Sequence, residues 1–110
     1  MVRIVKGEEK TLLVDITDDV SGKPYDVTDA DEIRIIFKKP TGVLTRTLTE
    51  SGGVTIIDGK LGEIQVHLTE ANTAELREDP AAPMEIEIVE DGVTKVIQLQ
   101  KVLEVIKRLS

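Results

Sequence analysis

Apolar and polar residues alternate one by one through most of this chain. Ile64, Val66 and Leu68 share one parity, while Glu63, Gln65 and His67 take the other. Side chains alternate across a strand, so this stretch reads as a strand with one buried and one wet face. The same rhythm recurs in Leu12, Val14 and Ile16, in Ile33, Ile35 and Phe37, and in Met84, Ile86 and Ile88. Shorter apolar runs at Val2–Val5, Val43–Leu48 and Val54–Ile57 supply further strands. Turn chemistry separates them. Asp18 to Thr28 is dense in Asp, Gly and Pro, Pro40-Thr41-Gly42 marks a hairpin, and Asp58-Gly59 and Asp91-Gly92 are tight-turn dipeptides. After Leu68, Thr69 offers a hydroxyl as helix N-cap. The residues from Thr69 to Leu76 then form a short helical crossover between two sheets. Two prolines at 80 and 83 predict a loop over 77–83. The run Val93–Leu109 reads as a strand, bulged and frayed at its end; Leu99, Val102, Leu103 and Ile106 also fit helical spacing.

Seven or eight short strands with frequent turns predict an all-β fold, an antiparallel β-sandwich, with a small barrel as the alternative. The 110 residues suit one domain, 1–110. No repeat or linker divides them.

Composition narrows the chemistry. One Phe (Phe37), one Tyr (Tyr25) and no Trp leave the core to Val, Ile and Leu. The net charge of −7 gives no basic surface to displace counterions, so neither nucleic acid nor an anionic membrane is an expected partner. With no cysteine there is no disulfide and no thiolate chemistry. The first residues lack the apolar core of a signal peptide, and no run approaches the roughly 20 apolar residues of a transmembrane helix. The expected place of synthesis is a cytoplasm.

Candidate sites are few. Asp15, Asp18, Asp19, Asp26, Asp29, Asp31 and Glu32 form an acidic series. Oxygen ligands on such loops can hold calcium, and Asp18, Asp19, Asp26, Asp29 and Asp31 are the calcium candidates. Their spacing departs from the calcium-loop pattern, which favours a solvated acidic edge with Asp side chains capping turns. His67 is the one histidine and falls on the polar face. Ser21, Ser51 and Ser110 lack the setting of a hydrolase nucleophile. No nucleophile, base and orienting group assemble, so the expectation is a non-enzymatic protein without cofactor. Lys38-Lys39 and Lys107-Arg108 read as guards of strand edges. Val2, Ile4, Leu13, Ile36, Leu44, Val102 and Val105 are the candidate interface residues. Val2–Val5 and Val93–Leu109 are the candidate contact strands.

Three stretches in order carry a family resemblance. Gly22-Lys23-Pro24-Tyr25-Asp26-Val27-Thr28 precedes the strand Glu32–Lys39 and its Pro40-Thr41-Gly42 turn. Asp58-Gly59-Lys60-Leu61-Gly62 leads into Leu68-Thr69. Thr73–Leu76 precedes Met84–Ile88 and Asp91-Gly92. Together they resemble the immunoglobulin-like β-sandwich domains of tailed-phage virion proteins, and most closely the N-terminal domain of the baseplate upper protein family. Val27 stands where that family usually has Leu. The family usually continues into a helical, receptor-binding portion. The resemblance implies an immunoglobulin-like sandwich and a structural protein of a phage or prophage virion, in its tail, baseplate, neck or connector. Its expected partners are other virion proteins and copies of itself, with assembly in the host cytoplasm. The alternative is a binding module for a host surface or glycan, assisted by calcium on the acidic loops.

Overall fold

The computed structural model describes residues 2–18, 20–48 and 52–108. Eight strands and one short helix follow in order. They are β1 (Val2–Val5), β2 (Lys10–Asp15), β3 (Glu32–Lys38), β4 (Val43–Thr47), β5 (Val54–Asp58), β6 (Glu63–Leu68), α1 (Glu70–Ala74), β7 (Asp79–Glu90) and β8 (Val93–Ile106). The strands form a five-stranded sheet, β1-β8-β7-β3-β4, and a three-stranded sheet, β2-β6-β5. This is a sandwich and not a barrel. The β2-β6-β5 and β8-β7-β3 orders are those of the B-E-D and G-F-C strands of the immunoglobulin fold, with β4 as an added strand beside β3.

The alternation has its expected effect. Ile33, Ile35 and Phe37 of β3, Ile86 and Ile88 of β7, and Ile64, Val66 and Leu68 of β6 are all buried between the sheets. They share one core with Leu12, Val14, Ile16, Val27 and Leu76. Phe37 is its only aromatic among the fully buried side chains. Asp91 and Gly92 both take positive φ, which makes the β7–β8 connection a two-residue turn matched to strand twist. α1 begins as its sequence predicts. The Thr69 hydroxyl accepts the Asn72 N–H, and Asn72 Oδ1 accepts the Thr69 N–H in return. With β6 in one sheet and β7 in the other, the segment Thr69–Leu76 is the crossover between them.

Three expectations need correction. First, residues 79–83 are strand and not loop. Pro80 and Pro83 are tolerated because this half of β7 pairs only with β8; pairing with β3 starts at Met84. The β7–β8 register also shifts between Asp79 and Ala82 and between Ala82 and Met84, so the prolines sit where the ladder is already interrupted. Second, the sandwich is not wholly antiparallel, since β1 runs parallel to β8. Third, β8 lies between β1 and β7 only over Leu103–Ile106, where β1 covers it; among the described residues the stretch 93–102 pairs with β7 alone and keeps one free edge. Its span to Ile106 settles the helix alternative in favour of strand; Leu109, at the end of the predicted run, lies outside the described residues.

Candidate functional site

Among the described residues the outermost strands are β1 and β4 in one sheet and β2 and β5 in the other, and β8 is also uncovered over residues 93–102, beyond the reach of β1. The outermost strands face each other in pairs across the sandwich and form two flanks. Each flank is a row of backbone groups and side chains that another chain can meet.

On the β4/β5 flank the sheets are stitched together. Arg46 of β4 donates from Nε to the carbonyl of His67, 3.0 Å away on β6. Thr47 and Gly53 form a parallel bridge, the Thr47 N–H reaches Gly52 O, and the His67 N–H reaches Gly53 O. Gly53 has a φ of +91°, and a Cβ there would lie 2.3 Å from Arg46 Nε. Only glycine lets the guanidinium lie across the backbone at this point.

On the β1/β2 flank the tie is at one end. Thr73 of α1 is fully buried. Its hydroxyl accepts the Gly7 N–H at 3.0 Å and lies 2.9 Å from Glu8 O, which pins the β1–β2 connection to the helix. Towards Val2 and Asp15 the sheets part, leaving an apolar groove of about 180 Å³. Val2, Leu12, Leu13, Val14, Leu99 and Val102 line it. An apolar cavity of about 150 Å³ accommodates a benzene-sized group, so the groove has room for one large side chain.

The predicted interface residues divide sharply. Leu13 is 76% exposed at the centre of edge strand β2, and Val2 is 40% exposed on edge strand β1. Ile36, Leu44 and Val102 are half-buried, and Leu44 and Val102 pack against the core. Ile36 lines a second groove of about 320 Å³ on the outer face of the five-stranded sheet, with Lys38, Val43, Glu85 and Gln98. Ile4 and Val105 are corrections. They are register partners, both point into the core, and both are buried, so neither offers a contact surface.

The acidic series serves the backbone. Asp18 Oδ1 accepts the N–H groups of Val20 and Ser21. Asp26 Oδ1 accepts the N–H and the hydroxyl of Thr28. Asp31 Oδ2 accepts the Asp91 N–H. The Ser21 and Val20 N–H groups hold Asp18 below the usual carboxylate range, and the Thr28 hydroxyl and N–H do the same for Asp26. Asp79 is likewise lowered by the Ala81 N–H and then by Arg77. Asp29 is exposed, and Asp19 lies outside the described residues. Among the described residues, no three Asp, Glu or His side chains converge as a metal site. Ser51 and Ser110 also lie outside the described residues.

His67 projects from the outer face of the three-stranded sheet, opposite Thr11. Its Nε2 lies 3.4 Å from Glu9 Oε1, and its side chain is 38% exposed.

Two of the motif stretches meet at one end of the sandwich. Val27 donates its N–H to Gly59 O, and Ile16 donates to Gly62 O. A Cβ at Gly62 would fall 2.5 Å from Tyr25 O and 2.6 Å from Ile16 O. The turn Asp58–Gly62 and the loop around Tyr25–Thr28 are therefore one packed unit.

Sequence reasoning passed over Arg46 and Thr73. A signal existed for Arg46, which shares the parity of Leu44 and Leu48 and so sits on an inward-facing row. For Thr73 the signal was its place three residues before Leu76 on one side of a helical turn. The strand orders define a small all-β sandwich with uncovered strand edges. No protein-family model matches the chain, and no curated protein is significantly similar to it.

Proposed function

We propose that this protein is a non-enzymatic structural component of a phage or prophage virion, acting in the tail, baseplate, neck or connector through protein–protein contacts. The observation that carries the reading is the bare edge of β2, with Leu13 largely exposed at its centre, on an otherwise charge-rich molecule. An edge of this kind is a template for adding a strand from another chain. The resemblance to virion sandwich domains supports the same reading. Its motif residues hold structural posts here: Asp26 caps a turn, Gly62 permits a close backbone approach, and Thr69 caps α1. Such building blocks act as repeated copies among other virion proteins after synthesis in the host cytoplasm. The glycan- or host-binding alternative, with calcium as an optional aid, has less behind it: Asp18, Asp26 and Asp31 each spend one oxygen on a backbone N–H group, and among the described residues no three acidic side chains converge.

The test is mass spectrometry of particles purified from a lysate of the strain that carries the gene. Peptides of this chain should co-purify with tails at a stoichiometry of several copies per particle. Their absence from particles in a lysate that contains the free protein overturns the reading.

A further inference from the structure

We propose that two copies of this chain pair antiparallel through β2, with Leu13 on the two-fold axis. The inference deepens the assembly reading and rests on it for its biological use, while its geometry stands on the following observations.

In the constant-type immunoglobulin sandwich the first strand covers the edge of the second, as A beside B. Here β1 lies beside β8 in the other sheet, so β2 has β6 on one side and no strand on the other. The exposed edge is six residues long, regular and free of proline. In contrast β5 is bulged between Ile56 and Asp58, β1 has four residues, and the β4/β5 flank is crossed by Arg46. The uncovered part of β8, residues 93–102, lies in the other sheet and runs into the register shift opposite Ala82 and Met84.

The hydrogen-bonding phase of β2 is fixed. Ile16 donates to Gly62 O on the β6 side. In an antiparallel ladder, N–H and C=O of one residue point the same way and alternate along the strand. Lys10, Leu12 and Val14 therefore face β6, while Thr11, Leu13 and Asp15 direct both backbone groups outward. A two-fold pairing centred on Leu13 uses those three residues and no others. Leu13 exchanges both bonds with its own copy, and Thr11 does so with Asp15 of the second copy.

The same register satisfies the side chains. Opposite residues share a face, so Leu13 meets Leu13 on the outer face, and Leu12 lies opposite Val14 of the second copy on the inner face, across the open groove. Charge selects the direction. Lys10 and Asp15 stand at opposite ends of β2. By parity Lys10 falls on the inner face and Asp15 on the outer, so they do not meet; an antiparallel partner sets the Thr11 hydroxyl against the Asp15 carboxylate of the other copy. A parallel partner would place Lys10 beside Lys10. The result is an isologous dimer with one continuous six-stranded sheet.

Two measurements test this. The chain has no cysteine, so Leu13→Cys introduces a unique thiol. A hydrogen-bonded antiparallel pair sets Cα atoms about 5.5 Å apart, within disulfide range. Under mild oxidation L13C should crosslink to a dimer far faster than Val93→Cys, whose parent side chain is 69% exposed but belongs to the other sheet. Native mass spectrometry of the unmodified protein should give twice the single-chain mass, and Leu13→Glu should return it to one chain with unchanged circular dichroism. If the wild type is oligomeric but L13E leaves its mass unaltered, or L13C crosslinks no faster than V93C, the β2 pairing is overturned and the assembly reading survives. A wild type that stays a single chain up to its solubility limit also overturns the pairing. The particle experiment then judges the assembly reading separately.

Discussion

The two flanks of the sandwich are made of short edge strands of similar length, yet one is closed along its course and the other opens into a groove. On the β4/β5 side a cationic side chain reaches from one sheet to a carbonyl of the other, and a glycine makes room for it. On the β1/β2 side the tie is a single buried threonine at one end, and aliphatic side chains line the rest. The difference teaches how a sandwich with an almost wholly aliphatic core treats its margins. Aliphatic side chains fill the middle but cannot satisfy edge backbone groups. Closing a flank takes a polar group that spans the gap, and where none does, the edge remains available to another strand.

Among the polar ties, the largest effect should come from the one on the open flank. Thr73→Val keeps the shape but removes the hydroxyl from Gly7 N–H and Glu8 O. Leaving such groups unpaired costs roughly 1–3 kcal/mol each when buried. Since Gly7 is only half-buried and Glu8 is exposed, a total of about 2–3 kcal/mol is expected. That corresponds to a melting temperature lower by about 10 °C for a domain of this size. Thr73→Ser should recover most of the loss in thermal denaturation. If Val and Ser behave alike, the hydroxyl does not hold this flank.

The closed flank should yield somewhat less. Gly53→Ala places a side chain at φ +91° and against Arg46, for about 2 kcal/mol in urea denaturation. Arg46→Ala alone loses a charged hydrogen bond, worth about 1.5 kcal/mol. The two residues touch, so the double variant should be less damaging than the two losses added. Strict additivity would mean that the guanidinium does not lie across Gly53.

Much of this design is legible in the sequence, and the limits have physical causes. Period-two alternation finds β3 and β6 because each buries one face and wets the other. It assigns a parity without saying which parity faces in, so it does not place Ile4 and Val105 in the core. It fails at Pro80 and Pro83 because whether a strand tolerates proline depends on which neighbours it has, and residues 79–83 pair on one side only. The acidic loop was legible as turn capping, since Asp side chains reach local N–H groups. Contacts far apart in sequence, such as Thr73 with Gly7 and Val27 with Gly59, carry no local pattern.

Acid should weaken the loops without touching the cross-sheet ties, because the Arg46 bond to His67 and the Thr73 bonds to Gly7 and Glu8 use no carboxylate. Asp18, Asp26 and Asp79 have folded pKa values below the ordinary 3.8. The unfolded chain therefore binds more protons across that interval, and stability rises with pH there. The contribution is fully present above the unfolded value and is lost as pH falls through the lowered folded ones. Urea midpoints should drop between pH 5 and pH 2.5. Asp26→Asn should be less stable at pH 5 and show a smaller drop, and an equal drop would remove Asp26 from the account.

The smallest effect is the most discriminating for the comparison of flanks. In dilute solution, below any association, Leu13→Ser should change the melting temperature by no more than about 2 °C, because substitutions of exposed residues usually stay within ±0.5 kcal/mol. Its neighbour Leu12 is 3% exposed in the core, and Leu12→Ala should cost about 2–5 kcal/mol. Adjacent residues on one edge strand thus answer to different masters: Leu12 belongs to the fold, and Leu13 to whatever meets the edge. A Leu13→Ser loss that matches Leu12→Ala in dilute solution would mean that β2 is not an open edge, and the contrast between the flanks would collapse.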